Sequence, residues 1–237
     1  MRSFPDEAVS PDEAVAVIQS GMKVFIHGAC ATPTPLVEAL ARRTDIEGVE
    51  VYHLHTAGPA PFADEACAGR IFSYSLFTGP SLRKPMAEGR ADFIPVFLSD
   101  IPGLFTSGRI ALDAALIQLS PPDAHGHCTL GPSVDAALSA ATAAGTVIAE
   151  INASMPRTTG NSAIPSSRVD RYIATDRPLI EHPPGEETEV EARIGMFVAE
   201  LVEDGSCLLM GIGTIPDAVL RRLDDKNDLG IHTEMFS

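Results

Sequence analysis

Glu234 stands in "LGIHTEMFS" (229–237), at the end of a short apolar run and two residues after His232. A strand over 229–235 would put His232 and Glu234 on one face, near the strand's carboxyl end. Open parallel sheets bind their ligands at that edge. A carboxylate there can attack an acyl donor or act as a general base, and His232 is a second candidate base. The plain alternative for Glu234 is a solvated or capping residue.

A second stretch, "GIGTIPDAV" (211–219), follows a strand-like run and precedes a helical one. Gly211 and Gly213 let the backbone approach a ligand, and the N–H groups of Gly211, Ile212 and Gly213 are candidate anion contacts. The spacing is G-x-G-x-x-P, so the third glycine of a dinucleotide fingerprint is missing, and a tight turn explains the pair equally well. "SPPDAHGHC" gathers Asp123, His125, His127 and Cys128. It lacks both the helical i, i+4 pair and a second ligand cluster, so no metal site is assigned. His53 and His55 share one strand face, which fits packing or hydrogen bonding better than ligation. "MPRTTGNSAIPSSRVD" (155–170) reads as a polar loop directly after a strand, with Arg157 and Asn161 its most plausible substrate contacts.

These residues need a scaffold, and the rest of the chain supplies an alternating pattern. Strands are predicted over 23–28, 49–55, 71–77, 92–99, 114–120, 146–152, 207–213 and 229–235. Helical patterns lie between them, at roughly 34–43, 80–88 and 132–144. The best-signalled helix starts at Ser10 as N-cap, with Pro11 at its first position, Glu13 completing a capping box and Gly21 ending it. In "EETEVEARIGMFVAELVEDG" the apolar face carries Val190, Ile194, Phe197, Val198 and Leu201. The expected fold class is α/β, a mostly parallel sheet with flanking helices. Pro183, Pro184 and Gly185 form a linker, dividing the chain into 1–184 and 185–237. The second part is too short to bury a parallel sheet of its own.

Composition limits the function classes. The 237 residues carry a formal charge of −15, which argues against nucleic acid and anionic membranes as partners. No apolar run reaches the length of a membrane span, and the N-terminus has no signal-peptide core. The expected location is therefore cytoplasmic. Cys30, Cys67, Cys128 and Cys207 are widely spaced and read as buried reduced thiols.

Taken in order, "SPPDAHGHCTLGPSVD" (120–135), "INASMPRTTGNSAI" (151–164), "GIGTIPDAV" and "LGIHTEMFS" resemble the acetyl-CoA hydrolase/transferase family, which includes the 4-hydroxybutyrate CoA-transferases. The resemblance runs nearly the whole length. It implies a family I CoA-transferase-like fold of two similar α/β domains with the active site between them. On this basis 1–184 is the N-terminal domain and 185–237 the start of a second one. Further oxyanion contacts and most of the CoA surface would then lie beyond Ser237, leaving this piece alone with little turnover. The resemblance makes Glu234 the nucleophile that forms a mixed anhydride and then a glutamyl–CoA thioester. Gly211, Ile212 and Gly213 become oxyanion or CoA contacts. Coenzyme A is implied as a substrate, with no permanently bound cofactor, and the partners are an acyl-CoA, a carboxylic acid and a second copy in a homodimer. The competing readings are a thioester hydrolase using the same residues, a non-catalytic half that needs a complementary chain, and, more weakly, a sugar-phosphate isomerase of similar topology.

Overall fold

Strands β5 (Ala114–Leu119) and β7 (Thr146–Asn152) are buried on both faces along nearly their whole length, so helices must cover the sheet above and below. In this computed structural model, which describes residues 4–181, 183 and 185–236, the chain divides into two compact units, Met1–Ile180 and Glu181–Ser237. The second begins at the first residue of "EHPPGEETE"; Pro184 of the linker reading lies outside the described residues, as does Ser237.

In the first unit, β5 and β7 join β1 (Lys23–Ile26), β2 (Val49–His53), β3 (Ile71–Ser75), β4 (Ala91–Phe93) and β9 (Arg171–Thr175). The strand order is β4-β3-β2-β1-β5-β7-β9, and every neighbouring pair is parallel. The chain builds outward from β1 to β4 and then returns to the other side of β1, so the topology switches between β1 and β5. One sheet face packs Phe25, Ile117 and Val147 against α4 (Ile101–Thr106) and α5 (Ala137–Ala143). The opposite face packs Val24, Val51 and Leu116 against α1 (Pro11–Val15), α2 (Thr34–Arg42) and α3 (Pro80–Ala87). Alternation along each strand sends neighbouring residues to the two cores. This is the expected α/β class.

Several boundaries differ from the sequence reading. The capping box at Ser10 and Glu13 is present, but α1 stops at Val15 because the chain tightens into i→i+3 bonds, Ala16 N–H to Glu13 O and Ile18 N–H to Val15 O. The strand expected over 92–99 is confined to Ala91–Phe93, since Pro95 cannot donate to a ladder; a 3-10 turn at Leu98–Asp100 and the unforeseen helix α4 follow. The helix expected from 132 begins at Ala137, after Asp135 takes φ = 31° in the left-handed region. The loop at 155–170 is not all loop: β8 (Ala163–Pro165) pairs antiparallel with β6 (His127–Thr129), and β9 follows as an edge strand.

The second unit holds α6 (Glu189–Ala199), β10 (Cys207–Leu208), α7 (Thr214–Leu220) and β11 (Gly230–Ile231), with β10 and β11 paired in parallel. Both strands are much shorter than the runs 207–213 and 229–235 suggested. Thr188 and Glu191 form a capping box on α6, and the Thr214 hydroxyl donates to the same Glu191 carboxylate. That bond, followed by those from Thr188, holds the Glu191 carboxyl below its ordinary range. The buried side of α6 is not the one expected. Gly195 and Ala199 face α7, and a Cβ on Gly195 would lie 2.6 Å from the Ala218 carbonyl oxygen. Val190, Phe197, Val198 and Leu201 are exposed instead. Close helix approach over small residues won over the larger apolar stripe.

Charge and polar groups are buried at the carboxyl ends of the first unit's strands. Glu150, fully buried on β7, takes two bonds from the Arg177 guanidinium at 2.6 and 2.9 Å, and the same guanidinium donates to Thr32 O at 2.9 Å. His53 is fully buried, its Nε2 2.8 Å from the Ser73 hydroxyl and its Nδ1 3.1 Å from that of Thr56. Burial pushes its pKa down to about 4.

Three consequences can be measured by denaturant unfolding and proteolysis. Arg177→Met leaves the Glu150 carboxylate buried without its partner and lowers stability by about 3 kcal/mol, part of which returns in the double variant with Glu150→Gln. Gly195→Val forces α6 from α7 and costs the second unit about 1–3 kcal/mol, read as faster cleavage within 189–220 and unchanged protection of the first unit. His53 stays neutral when folded but protonates below its ordinary pKa of 6.5 once unfolded. Stability is therefore full above that value and falls as pH drops toward about 4, by about 2 kcal/mol at pH 5. His53→Gln, less stable throughout, should show a shallower slope between pH 7.5 and 5; equal slopes would assign the dependence elsewhere.

Candidate functional site

The sequence HTEM is bonded to the residues just before the glycine turn in the second unit. The His232 N–H donates to Leu208 O at 2.9 Å, carrying the pairing one residue past β11. The Thr233 hydroxyl then donates to Met210 O at 2.5 Å and accepts from the Met210 N–H at 3.1 Å. A side chain thus replaces the ladder where the backbones diverge. The next residue along one strand is Glu234 and along the other is Gly211. Glu234 lies three residues beyond β11, in a bend rather than in the expected strand, and is exposed.

Gly211, Ile212 and Gly213 are also exposed. Gly213 is the N-cap of α7 at φ = 120°, a conformation that selects glycine. Around Gly211 and Gly213 nothing lies within 4 Å of a built Cβ, so the turn opens to solvent. Among the described residues, none of the three N–H groups is bonded to a backbone carbonyl. Glu234 and Gly211 are each the residue that follows the Thr233–Met210 pair.

The other sequence candidates lie in the first unit. Arg157 is committed to the 120–128 loop: it pairs with Asp123 at 2.9 Å and donates to Pro121 O and His127 O, each at 3.1 Å. Asn161 is exposed in the turn between Arg157 and β8. Asp123 accepts from the His125 and His127 N–H groups, and these bonds, the one from His127 first, hold its carboxyl below the usual range. It shapes a turn. Among the described residues, no three His, Cys, Asp or Glu side chains gather closely enough to hold a metal ion. His53 is buried within hydrogen bonds, while His55 lies past β2, its ring 5.3 Å from that of Phe77. Of the thiols, Cys67 and Cys128 are buried as expected, but Cys30 is half-buried and Cys207 exposed. Burial pushes the Cys128 thiol up to about 11.

The sequence reading passed over the rim at the topological switch. The buried His27 donates from Nε2 to Ser133 O at 2.7 Å and accepts at Nδ1 from the Gln118 N–H at 3.3 Å, which defines its neutral tautomer. Burial lowers its pKa, opposed by the nearby Asp135. Asn152 bridges Gln118 Oε1 and Arg177 O, both at 2.9 Å. Ala29 and Asp135 adopt φ of 49° and 31°, sparsely populated for residues with a side chain. "GACATP" (28–33) carries a glycine and a proline that mark a turn. The signal that makes the turn notable, its place beside the β1/β5 switch, exists only once the strand order is known.

Comparison with known proteins agrees with this architecture. The family model for the acetyl-CoA hydrolase/transferase N-terminal domain matches residues 2–181. A succinyl-CoA:acetate/propanoyl-CoA:succinate CoA transferase of Fasciola hepatica is 45% identical over 238 residues, spanning 99% of this chain and 49% of that protein. The 4-hydroxybutyrate coenzyme A transferase of Clostridium kluyveri is 40% identical over 235 residues, spanning 99% of this chain and 55% of that protein. The crystal structure of RipA from Yersinia pestis matches with a TM-score of 0.89 at 33% identity, covering 98% of this chain and 57% of that one. The chain spans about half the length of the relatives it matches. With its family model covering most of the sequence, the chain belongs to the acetyl-CoA hydrolase/transferase family.

Proposed function

We propose that this chain carries the nucleophile of a CoA-transferase that moves CoA between an acyl-CoA and a short-chain carboxylate. The observation that carries the reading is the Thr233–Met210 pair, from which the chain runs directly into Glu234 on one side and Gly211 on the other, in a chain similar to several CoA transferases. Glu234 attacks the thioester carbonyl; the C–S bond breaks, CoA leaves as thiolate and a mixed anhydride remains. The thiolate then attacks the glutamyl carbonyl, releasing the first carboxylate and leaving a glutamyl–CoA thioester. An incoming carboxylate reverses both steps and departs as the new acyl-CoA. No net proton moves, so a weakly basic carboxylate suffices. The site must orient the partners and stabilise each oxyanion, for which the N–H groups of Gly211, Ile212 and Gly213 are the donors we assign.

On this reading residues 1–184 form the N-terminal CoA-transferase domain and 185–237 open the second. Arg157 fixes the loop that presents Asn161, which we keep as a substrate-loop residue. CoA is substrate rather than resident cofactor. No described helix is long and apolar enough to cross a membrane. We assign the protein to the cytoplasm, where an acyl-CoA pool is at hand, and to a homodimer, as the family resemblance implies.

The test joins this chain in frame to the second half of the Clostridium kluyveri relative. The chimera should exchange CoA between acetyl-CoA and 4-hydroxybutyrate and accumulate a CoA adduct on Glu234 in the intact mass. Glu234→Ala should lose the adduct and on the order of 10³-fold or more in kcat. An alanine variant that keeps its rate would end the assignment of the nucleophile. Free acid released without an acceptor would make the reaction hydrolysis.

A further inference from the structure

A glycine turn has little of its own to hold it still. Gly211 and Gly213 carry no side chain, no atom lies within 4 Å of a built Cβ at either, and Ile212 is 45% exposed. Glycine also has more backbone freedom to lose than any other residue. The shape of these three residues must therefore come from their two ends. The near end is held by Thr233, whose hydroxyl bonds both the N–H and the carbonyl of Met210.

The far end is Thr214, the first residue of α7. Gly213, the N-cap, has no side chain with which to cap that helix. Thr214 instead donates its hydroxyl to Oε1 of Glu191 on α6, 23 residues away in sequence. The same carboxylate serves α6: its Oε2 accepts from the Thr188 N–H at 2.7 Å and from the Thr188 hydroxyl at 2.8 Å. The cap uses one oxygen and leaves the other for Thr214. A carboxylate acceptor makes this a charge-assisted bond, stronger than one between neutral groups.

Glu191 is a firm anchor because α6 and α7 are fastened to each other elsewhere. Arg222, just past α7, holds Glu187, just before α6, by two bonds at 2.9 and 2.8 Å. Gly195 lets α6 close on the Ala218 carbonyl. With the helices fixed, the Thr214 hydroxyl carries their rigidity to the end of the turn. Three residues thus lie between two side-chain ties, one from the segment after β11 and one from α6.

We propose that Glu191 is a positioning residue: through Thr214 it sets the Gly211–Gly213 amides in place before an acyl group arrives. The proposal rests on reading those amides as the oxyanion donors. Donors fixed beforehand need no reorganisation as negative charge develops, so the tie acts on the rate of acyl transfer and not on substrate affinity. This role is separable from the helix cap, since cap and tie use different oxygens.

Thr214→Val tests the tie alone: it removes the hydroxyl, keeps the methyl group and leaves the α6 capping box whole. In the 237-residue chain, amide nitrogen relaxation should show the order parameters of Gly211, Ile212 and Gly213 falling from about 0.85 to below about 0.6, with those of α6 unchanged. In the chimera with the Clostridium kluyveri second half, the same variant should lose on the order of 10-fold in kcat with KM for acetyl-CoA unchanged. Thr214→Ser, which restores a hydroxyl, should recover both readouts. Glu191→Ala should lose at least as much, and adding Thr214→Val to it should cost nothing further. Unchanged order parameters, or a Thr214→Val chimera as fast as its parent, overturn the proposal. So does a loss that serine fails to rescue. A turn that loosens in Thr214→Val while Glu234→Ala keeps its rate would sink the proposed nucleophile and leave the tie intact.

Discussion

A parallel sheet has no solvent face. Each strand sends alternate residues to opposite sides, and the crossovers that join parallel strands place helices on both. In the first unit this requirement organises everything else. Phe25 and Val24, adjacent on β1, belong to different cores, and β5, along with Val147, Ile148, Ala149 and Ile151 of β7, is almost wholly apolar because both directions are inside. Most of the larger buried polar side chains lie toward the strand ends. His27, His53, Gln118, Glu150 and Asn152 lie at or near those ends, each bonded to a neighbouring loop or strand.

That rim shows how the fold makes room for chemistry. A buried carboxylate costs several kcal/mol unless paired, and Glu150 meets the cost with a bidentate guanidinium that also ties β7 to the loop after β1. The positive φ values of Ala29 and Asp135 lie in loops stitched to this framework; the Ser133 hydroxyl, for example, donates to Gly28 O at 3.1 Å. The second unit repeats the theme with fewer parts. Thr233 closes two bonds on Met210, so Glu234 and Gly211 leave a fixed point rather than two loose ends. A carboxylate nucleophile suits such a place, since thioester–anhydride exchange asks for geometry and oxyanion donors rather than a tuned base.

The main strands and most helices were legible in the sequence because their signals are local: a capping box at Ser10, glycine stops, and β-branched runs flanked by turn residues. Elements that depend on distant partners were not. Strand β9 is an edge strand that exists through its pairing with β7, and β6 and β8 are three-residue arms that define one another across more than thirty positions. The strand run at 92–99 misled because its apolar residues are real but Pro95 breaks the ladder. At the candidate site, HTEM and the glycine turn were visible as words. The Thr233 hydroxyl that joins them was not, because a threonine between a histidine and a glutamate announces no partner. Arg157 shows the converse: a basic residue in a polar loop suggests a substrate contact, while its hydrogen bonds turn inward to Pro121, Asp123 and His127.

Helix α6 carries the most instructive difference. Periodicity reports what a face is suited to touch, and the apolar stripe at Val190, Ile194, Phe197 and Leu201 is as regular as that of any packed helix. Yet the contact the unit makes runs through Gly195 and the small side chain of Ala199, where α7 can approach most closely. Moving a large apolar side chain out of water is worth about 1.5–3 kcal/mol. Covering such a stripe would therefore add several kcal/mol to a unit whose buried apolar residues, among those described, are Ala199, Ala218, Val219 and Leu223. For a unit so small, anything bound to that stripe would stabilise the fold of the unit by the same free energy.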